Sequence, residues 1–197
     1  MARTSILTDS TSGLTPEEAS PLGIAIIPMH VEIAGQTYRE GVDLTPQEFY
    51  QQVVGDAASV RTSPPTVREF HGVFRELSRT SDEILAIHMS SRLSGVTSLA
   101  RQAAQSFMGR ARVTVVDSRT TATPLGWLAM AGAEAAAAGV DSAEIFRLLR
   151  AMMPHLYLAF FAETVGVLQG GGLLRRAPAL ATSSATAFSA AATCRAK

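Results

Sequence analysis

The sequence is short of cysteine, of net charge and of long uninterrupted apolar runs, and each shortage removes a class of function. Its one cysteine, Cys194, excludes an internal disulfide and any cysteine-based metal site, and fits a reducing compartment. Lys plus Arg and Asp plus Glu balance at 17 each with no basic run, so the electrostatic footprint of a nucleic-acid or anionic-membrane binder is missing. Even the apolar stretch from Ala122 to Val140 is Ala- and Gly-rich and broken by Pro124 and Glu134, so it reads as a buried helix and not a membrane span. The N-terminal apolar stretch is too short for a signal peptide, and Asp9 would interrupt one. A cytoplasmic protein with no nucleic-acid partner and no membrane insertion is the expectation.

Several catalytic signatures are missing as well. There is no glycine-rich phosphate loop of the P-loop type, no Gly-x-Ser-x-Gly elbow and no pair of histidines at metal-ligand spacing. His30, His71, His88 and His155 are scattered; His71 and His88 have no evident carboxylate or cysteine partner, and most of the four are expected to be structural or solvent-facing.

What is present is the composition of a packed domain: 47% hydrophobic and 17% charged residues over 197 positions, enough for one domain or for one domain and part of another. Ser5 to Thr8 reads as a strand. Thr15-Pro16-Glu17-Glu18 then supplies a helix cap, a proline at the first helical position and a reciprocal acidic cap. Ile24 to Ile27 is a second strand, and Val31 to Ile33, Ala34-Gly35 and Gln36 to Tyr38 suggest a hairpin at the sheet edge. Thr45-Pro46-Gln47-Glu48 and Thr66-Val67-Arg68-Glu69 start two helices, with Arg61 to Pro65 a loop between them. The apolar runs Glu83 to Met89 and Arg112 to Val116 read as buried parallel strands. Each is followed by a helix, Ser94 to Phe107 and Pro124 to Ala138. Asp141 caps one more helix, and Leu156 to Phe161 is expected as a strand after Pro154.

The fold class is therefore α/β: a mostly parallel sheet flanked by helices over residues 1–153, then a fragment of a second α/β domain over 154–197. The end of that fragment, Ala177 to Lys197, is rich in Ala, Ser and Thr and has no period of 2 or 3.6.

In open α/β sheets ligands bind outside the carboxyl ends of the strands. Here those ends read Thr8-Asp9-Ser10-Thr11-Ser12, Ser90-Ser91-Arg92-Leu93-Ser94-Gly95 and Asp117-Ser118. Three hydroxyl-rich loops thus converge on one rim, with Asp9, Ser10, Ser91 and Asp117 along it. Ser94-Gly95 also opens a helix, where a hydroxyl and free N–H groups make a seat for a carboxylate or phosphate; an ordinary N-cap is the compatible structural reading. Thr62 and Ser63, ahead of two prolines, read equally as a stiffened turn. Asp9 and Asp117 suit Mg²⁺ ligands or a phosphoryl-accepting nucleophile, although aspartate at a strand end commonly caps the next turn. Gly170-Gly171-Gly172 is a flexible linker or the close turn ending a short helix.

Taken in order, Leu7 to Leu14, Ile27-Pro28-Met29, Tyr38 to Leu44, Glu48-Phe49-Tyr50, Arg61 to Pro65, Ser91 to Gly95 and Val116-Asp117-Ser118 resemble the DegV family. The resemblance implies a bacterial fatty-acid-binding protein of two α/β domains, with the acyl chain buried between them and its carboxylate held by hydroxyls. It makes Thr62 and Ser94 those hydroxyls, with Ser63 and Gly95 beside them. It implies a lipid carrier and not an enzyme, with no cofactor and a long-chain fatty acid such as palmitate as ligand. It also implies, as partner, the ATP-binding subunit of a fatty acid kinase, to which the lipid is presented. The chain departs from the family pattern at Leu168 to Gly172, where an arginine usually follows two glycines, and it stops short of family length, so a C-terminally truncated member is expected. Two other readings compete: a Mg-dependent phosphotransferase or phosphatase using Asp9 and Asp117, and an inactive truncated remnant.

Overall fold

The computed structural model describes residues 2–53 and 60–159. In chain order the first elements are β1 (Thr4–Asp9), α1 (Pro16–Ala19), β2 (Ile24–Ile27), β3 (His30–Ile33), β4 (Gln36–Arg39), α2 (Pro46–Val53) and β5 (Arg61–Ser63). Then come α3 (Val67–Leu77), β6 (Glu83–His88), α4 (Val96–Ser106), β7 (Arg112–Asp117), α5 (Ala122–Ala137) and α6 (Ser142–Met152).

The helices begin where their caps say they should. Thr15 with Glu18 and Thr66 with Glu69 form reciprocal capping boxes, and the Asp141 side chain accepts the Ala143 and Glu144 N–H groups. Each cap satisfies N–H groups that have no partner inside the helix.

Four strands form an all-parallel sheet in the order β2-β1-β6-β7. Side chains alternate across it, so Ile6 and Ile87 point to one face and Leu7, Asp9, Ala86 and His88 to the other. The first face lies under α5 and α6: a β-carbon placed on Gly132 would stand 3.4 Å from Ile87 Cδ1, 3.5 Å from Ile6 Cδ1 and 3.8 Å from Ile145. The second lies under α3, whose Phe70 ring packs edge-on to His88 with centroids 5.3 Å apart. Phe70, Phe74, Leu125, Leu128, Ile145 and Leu149 are all fully buried against the strands. Each such side chain contributes about 1.5–3 kcal/mol relative to exposure.

The predicted hairpin exists, with Ala34 and Gly35 at positive φ in its turn, but it is not the edge of this sheet. It belongs to a separate antiparallel sheet, β4-β3-β5, with a small core of Val31, Ile33 and Leu44. Pro28 and Met29 turn the chain away from β2, and the Met29 N–H is taken by Ser10 Oγ at 2.9 Å. The expected loop Arg61 to Pro65 is corrected in the same way: Arg61–Ser63 is a strand paired to β3, with Thr62 opposite Val31. All three of its residues are exposed and none is strongly apolar, so no alternation marked it. Pro64 and Pro65, which have no N–H to donate, end it.

Two further expectations change. The helix expected from Ser94 starts at Val96, with Gly95 as its N-cap. Leu156 to Ala159 carry no strand. The remainder of that expected strand, the Gly170-Gly171-Gly172 segment and most of the expected second-domain fragment lie outside the described residues.

Candidate functional site

The parallel order brings the carboxyl ends of β1, β6 and β7 to one rim, and the loops there share one device. A side-chain oxygen accepts the N–H two residues ahead: Asp9 from Thr11, Ser12 from Leu14, Ser90 from Arg92, Ser94 from Val96, Asp117 from Arg119 and Ser118 from Thr120. These are the local turns that Asp and Ser favour.

The bond at Ser94 bears on the capping reading of that residue. Its oxygen accepts from Val96 N at 3.3 Å, but Gly95, not Ser94, is the helix cap, and α4 has no side-chain cap bond. The Ser94 hydroxyl proton remains a donor beside the N–H groups of the first turn of α4, where an anion is also favoured by the helix dipole. Ser94 is half-buried and Gly95 exposed.

Thr62 and Ser63 lie on β5 of the small sheet, directly before Pro64. A β-carbon placed on Gly95 would lie 4.0 Å from Pro64 Cγ, so the turn after β5 stands in van der Waals range of the start of α4. Pro64 and Gly95, some thirty positions apart in sequence, are neighbours.

The four rim candidates have other occupations. Ser10 Oγ donates to Glu40 Oε2 at 2.6 Å while accepting Met29 N, which ties the main sheet to the small one. Ser91 Oγ donates to Asp117 Oδ2, and Ser91 N and Arg119 N bond Asp117 Oδ1 at 3.2 and 3.0 Å. Burial pushes the Asp117 carboxyl up, but these donors and the charge of Arg101 outweigh it and hold the group below the ordinary carboxylate value.

Asp9 is not on the rim. It has no exposed surface and is corrected to a buried residue beneath it. Its Oδ1 accepts Thr11 N and Oγ1, and its Oδ2 accepts Met89 N and His88 Nδ1, both at 3.0 Å. Burial acts to raise its pKa; the hydrogen bond and charge interaction with His88, with help from Thr11 and Met89, hold it below the ordinary value.

His88 therefore does have a carboxylate partner, contrary to the sequence reading, and so does His30, whose Nε2 lies 2.8 Å from Glu69 Oε1. His71 Nε2 lies 3.1 Å from Ala103 O and 3.0 Å from Ser106 Oγ. The missed signal is positional. Asp9 and His88 are the polar residues that close two apolar strands, and adjacent parallel strands bring such residues side by side.

Two hollows of about 400 Å³ each open elsewhere. One lies against β7 and α6, lined by Asp117, Ser118, Arg119, Phe146 and Arg150 among others; the second lies at the C-terminal ends of α3 and α4, beside His71 and Arg110. Neither is lined by Thr62, Ser63, Ser94 or Gly95. Among the described residues no three His, Cys, Asp or Glu side chains are grouped to hold a metal ion, and no helix is long and apolar enough to cross a membrane.

Residues 3–185 match the family described as "Uncharacterised protein, DegV family". The chain belongs to the DegV family. A DegV domain-containing protein of Deinococcus radiodurans is 38% identical over 175 residues, covering 89% of this chain and 62% of that protein. Among solved structures, that describing fatty acid binding of a DegV family protein from Thermus thermophilus has a TM-score of 0.78 at 33% identity, over 86% of this chain and 60% of the other. A stearic acid-binding protein from Eubacterium ventriosum gives a TM-score of 0.80 at 25% identity, over 91% and 62%. The chain thus spans about three fifths of the length of these DegV relatives.

Proposed function

We propose that this DegV chain is a carrier that holds a long-chain fatty acid by its carboxylate, with Thr62, Ser63, Ser94 and Gly95 as the seat. The approach of Pro64 to Gly95 carries this reading, because it brings the chain that follows Thr62 and Ser63 to a helix start whose cap residue, a glycine, offers no side chain of its own. Hydroxyl and N–H donors that converge on one point suit an acid headgroup, whose two oxygens accept only. The fatty acids bound by the Thermus and Eubacterium relatives favour the same ligand class.

Such a seat offers hydroxyl and N–H donors to a carboxylate and includes no ionisable side chain, so it holds the headgroup without transforming it. The chain is then a non-enzymatic component that works in the cytoplasm and presents the headgroup to a separate ATP-binding fatty acid kinase. The reading of Asp9 and Asp117 as a Mg-dependent phosphoryl-transfer pair is disfavoured. Asp9 is sealed from solvent with four donors already on it, and β6 lies between the two residues.

Extraction of the protein purified from bacteria and mass spectrometry of the extract test the proposal. A C16–C18 fatty acid is expected with the unaltered chain, and a loss of about a hundredfold or more in the double variant Thr62→Val, Ser94→Ala, the consequence of removing two hydrogen bonds to a charged acceptor at about 1.5–3 kcal/mol each. Equal lipid in both proteins, or none in the unaltered chain, defeats it.

A further inference from the structure

Asp9 and His88 are fully buried, and the headgroup seat uses neither directly. Burying a carboxylate costs several kcal/mol unless hydrogen bonds replace its hydration, so the pair calls for an account of what it holds. Asp9 Oδ2 takes two donors at once, His88 Nδ1 and Met89 N. Since an ionised carboxylate only accepts, the Nδ1 of His88 carries the proton. Among the described residues Nε2 is buried without a hydrogen-bond partner, so within them the imidazole has one polar anchor, Asp9.

The bonds continue from there to Ser94. Met89 is held from both sides: its N–H by Asp9, and its carbonyl by Thr97 Oγ1 of α4 at 3.0 Å. The next residue, Ser90, accepts Leu93 N at 2.9 Å and Ser94 N at 3.2 Å on its carbonyl, and its own N–H bonds Thr120 O at 2.8 Å. Ser94 is therefore fixed by a short run of bonds that starts on β1, crosses to the end of β6 and returns through the first turn of α4.

We propose that Asp9 and His88 are a positioning pair. His88 fixes the Asp9 carboxylate so that it holds Met89 N, and this sets where Ser94 presents its hydroxyl at the start of α4. The inference rests on the reading of Ser94 as a headgroup ligand, and it makes Asp9 a specificity determinant for acids, not a catalytic group.

The test contrasts two variants with opposite virtues. His88→Asn places an amide N–H near the position of Nδ1 and loses the ring that packs on Phe70; His88→Leu keeps apolar bulk and loses the donor. Both are compared with the unaltered chain and with Asp9→Asn by amide hydrogen exchange, and by affinity for palmitate against 1-hexadecanol. In His88→Leu and Asp9→Asn, exchange at Met89 and Ser94 rises about tenfold while Leu85 and Ala86 keep their protection, and the preference for acid over alcohol falls by a similar factor. His88→Asn restores both.

Equal behaviour of His88→Leu and the unaltered chain overturns the inference. So does His88→Asn performing worse than His88→Leu, since ring packing is then what matters. Exchange that follows the expected pattern while the unaltered chain shows no preference for the acid sinks the reading of Ser94 as ligand, and with it the specificity role, but leaves the positioning geometry standing.

Discussion

Two glycines of α5 offer a controlled comparison. Gly126 and Gly132 lie on the same helix, both buried, and neither has a positive φ. Replacing either by Ala gains about 1 kcal/mol of intrinsic helix preference. The surroundings then separate them. At Gly132 a β-carbon meets the methyl ends of Ile87 and Ile6 at 3.4 and 3.5 Å, and no backbone atom stands closer. A buried methyl there adds at most ~0.8 kcal/mol. At Gly126 it meets Ser12 O, a backbone atom, at 2.8 Å, with Leu14 at 3.3 Å. The turn after β1 must move, and overpacking of this kind costs about 1–3 kcal/mol. Gly132→Ala is therefore expected to stabilise the protein by about 1 kcal/mol. Gly126→Ala should leave it unchanged or destabilise it by up to about 2 kcal/mol. Urea denaturation reads the difference at constant slope as a raised midpoint for Gly132→Ala and an unchanged or lowered one for Gly126→Ala. Equal stabilisation by both substitutions refutes the close approach of α5 to Ser12.

Phe74 is fully buried between Phe70 and Phe107, with ring centroids 5.8 and 5.7 Å away, and Phe74→Ala should cost about 3–5 kcal/mol in the same assay. A loss below ~1 kcal/mol contradicts the packing of α3 on the sheet. Asp9 and Asp117 both sit below the ordinary carboxylate value when folded, so their contribution to stability is complete above the unfolded value of ~3.9 and is lost as pH falls through the folded values. Urea midpoints should hold steady from about pH 7 to 5 and then fall below about pH 4, less steeply in Asp9→Asn; midpoints unchanged down to pH 3 refute this.

Much of the main sheet was legible because its signals are local. Apolar runs closed by polar residues marked β1, β6 and β7, an apolar run closed by Pro28 marked β2, and Thr or Asp followed by Glu marked four helix starts. Thr62 lacked any such mark: β5 is three exposed residues held only by pairing with β3, and pairing between distant segments leaves no trace in composition. The same holds for Asp9 with His88, a bond across seventy-nine positions that exists only because β1 and β6 are neighbours. Ser94 was legible as a helix-start hydroxyl, whereas Gly95 as the cap depended on the path of the loop.

Among the described residues the smaller sheet buries only Val31, Ile33 and Leu44 as apolar side chains, yet β5 carries Thr62. A unit with so little apolar contact opens at a far smaller free energy than the large core. Its amide protons should therefore wash out first while the parallel strands stay protected. On the proposed reading of Thr62 as a headgroup ligand, one jaw of the vice is bolted down and the other held loosely, so sealing the lesser jaw more firmly would tune grip strength with no change to the bolted one.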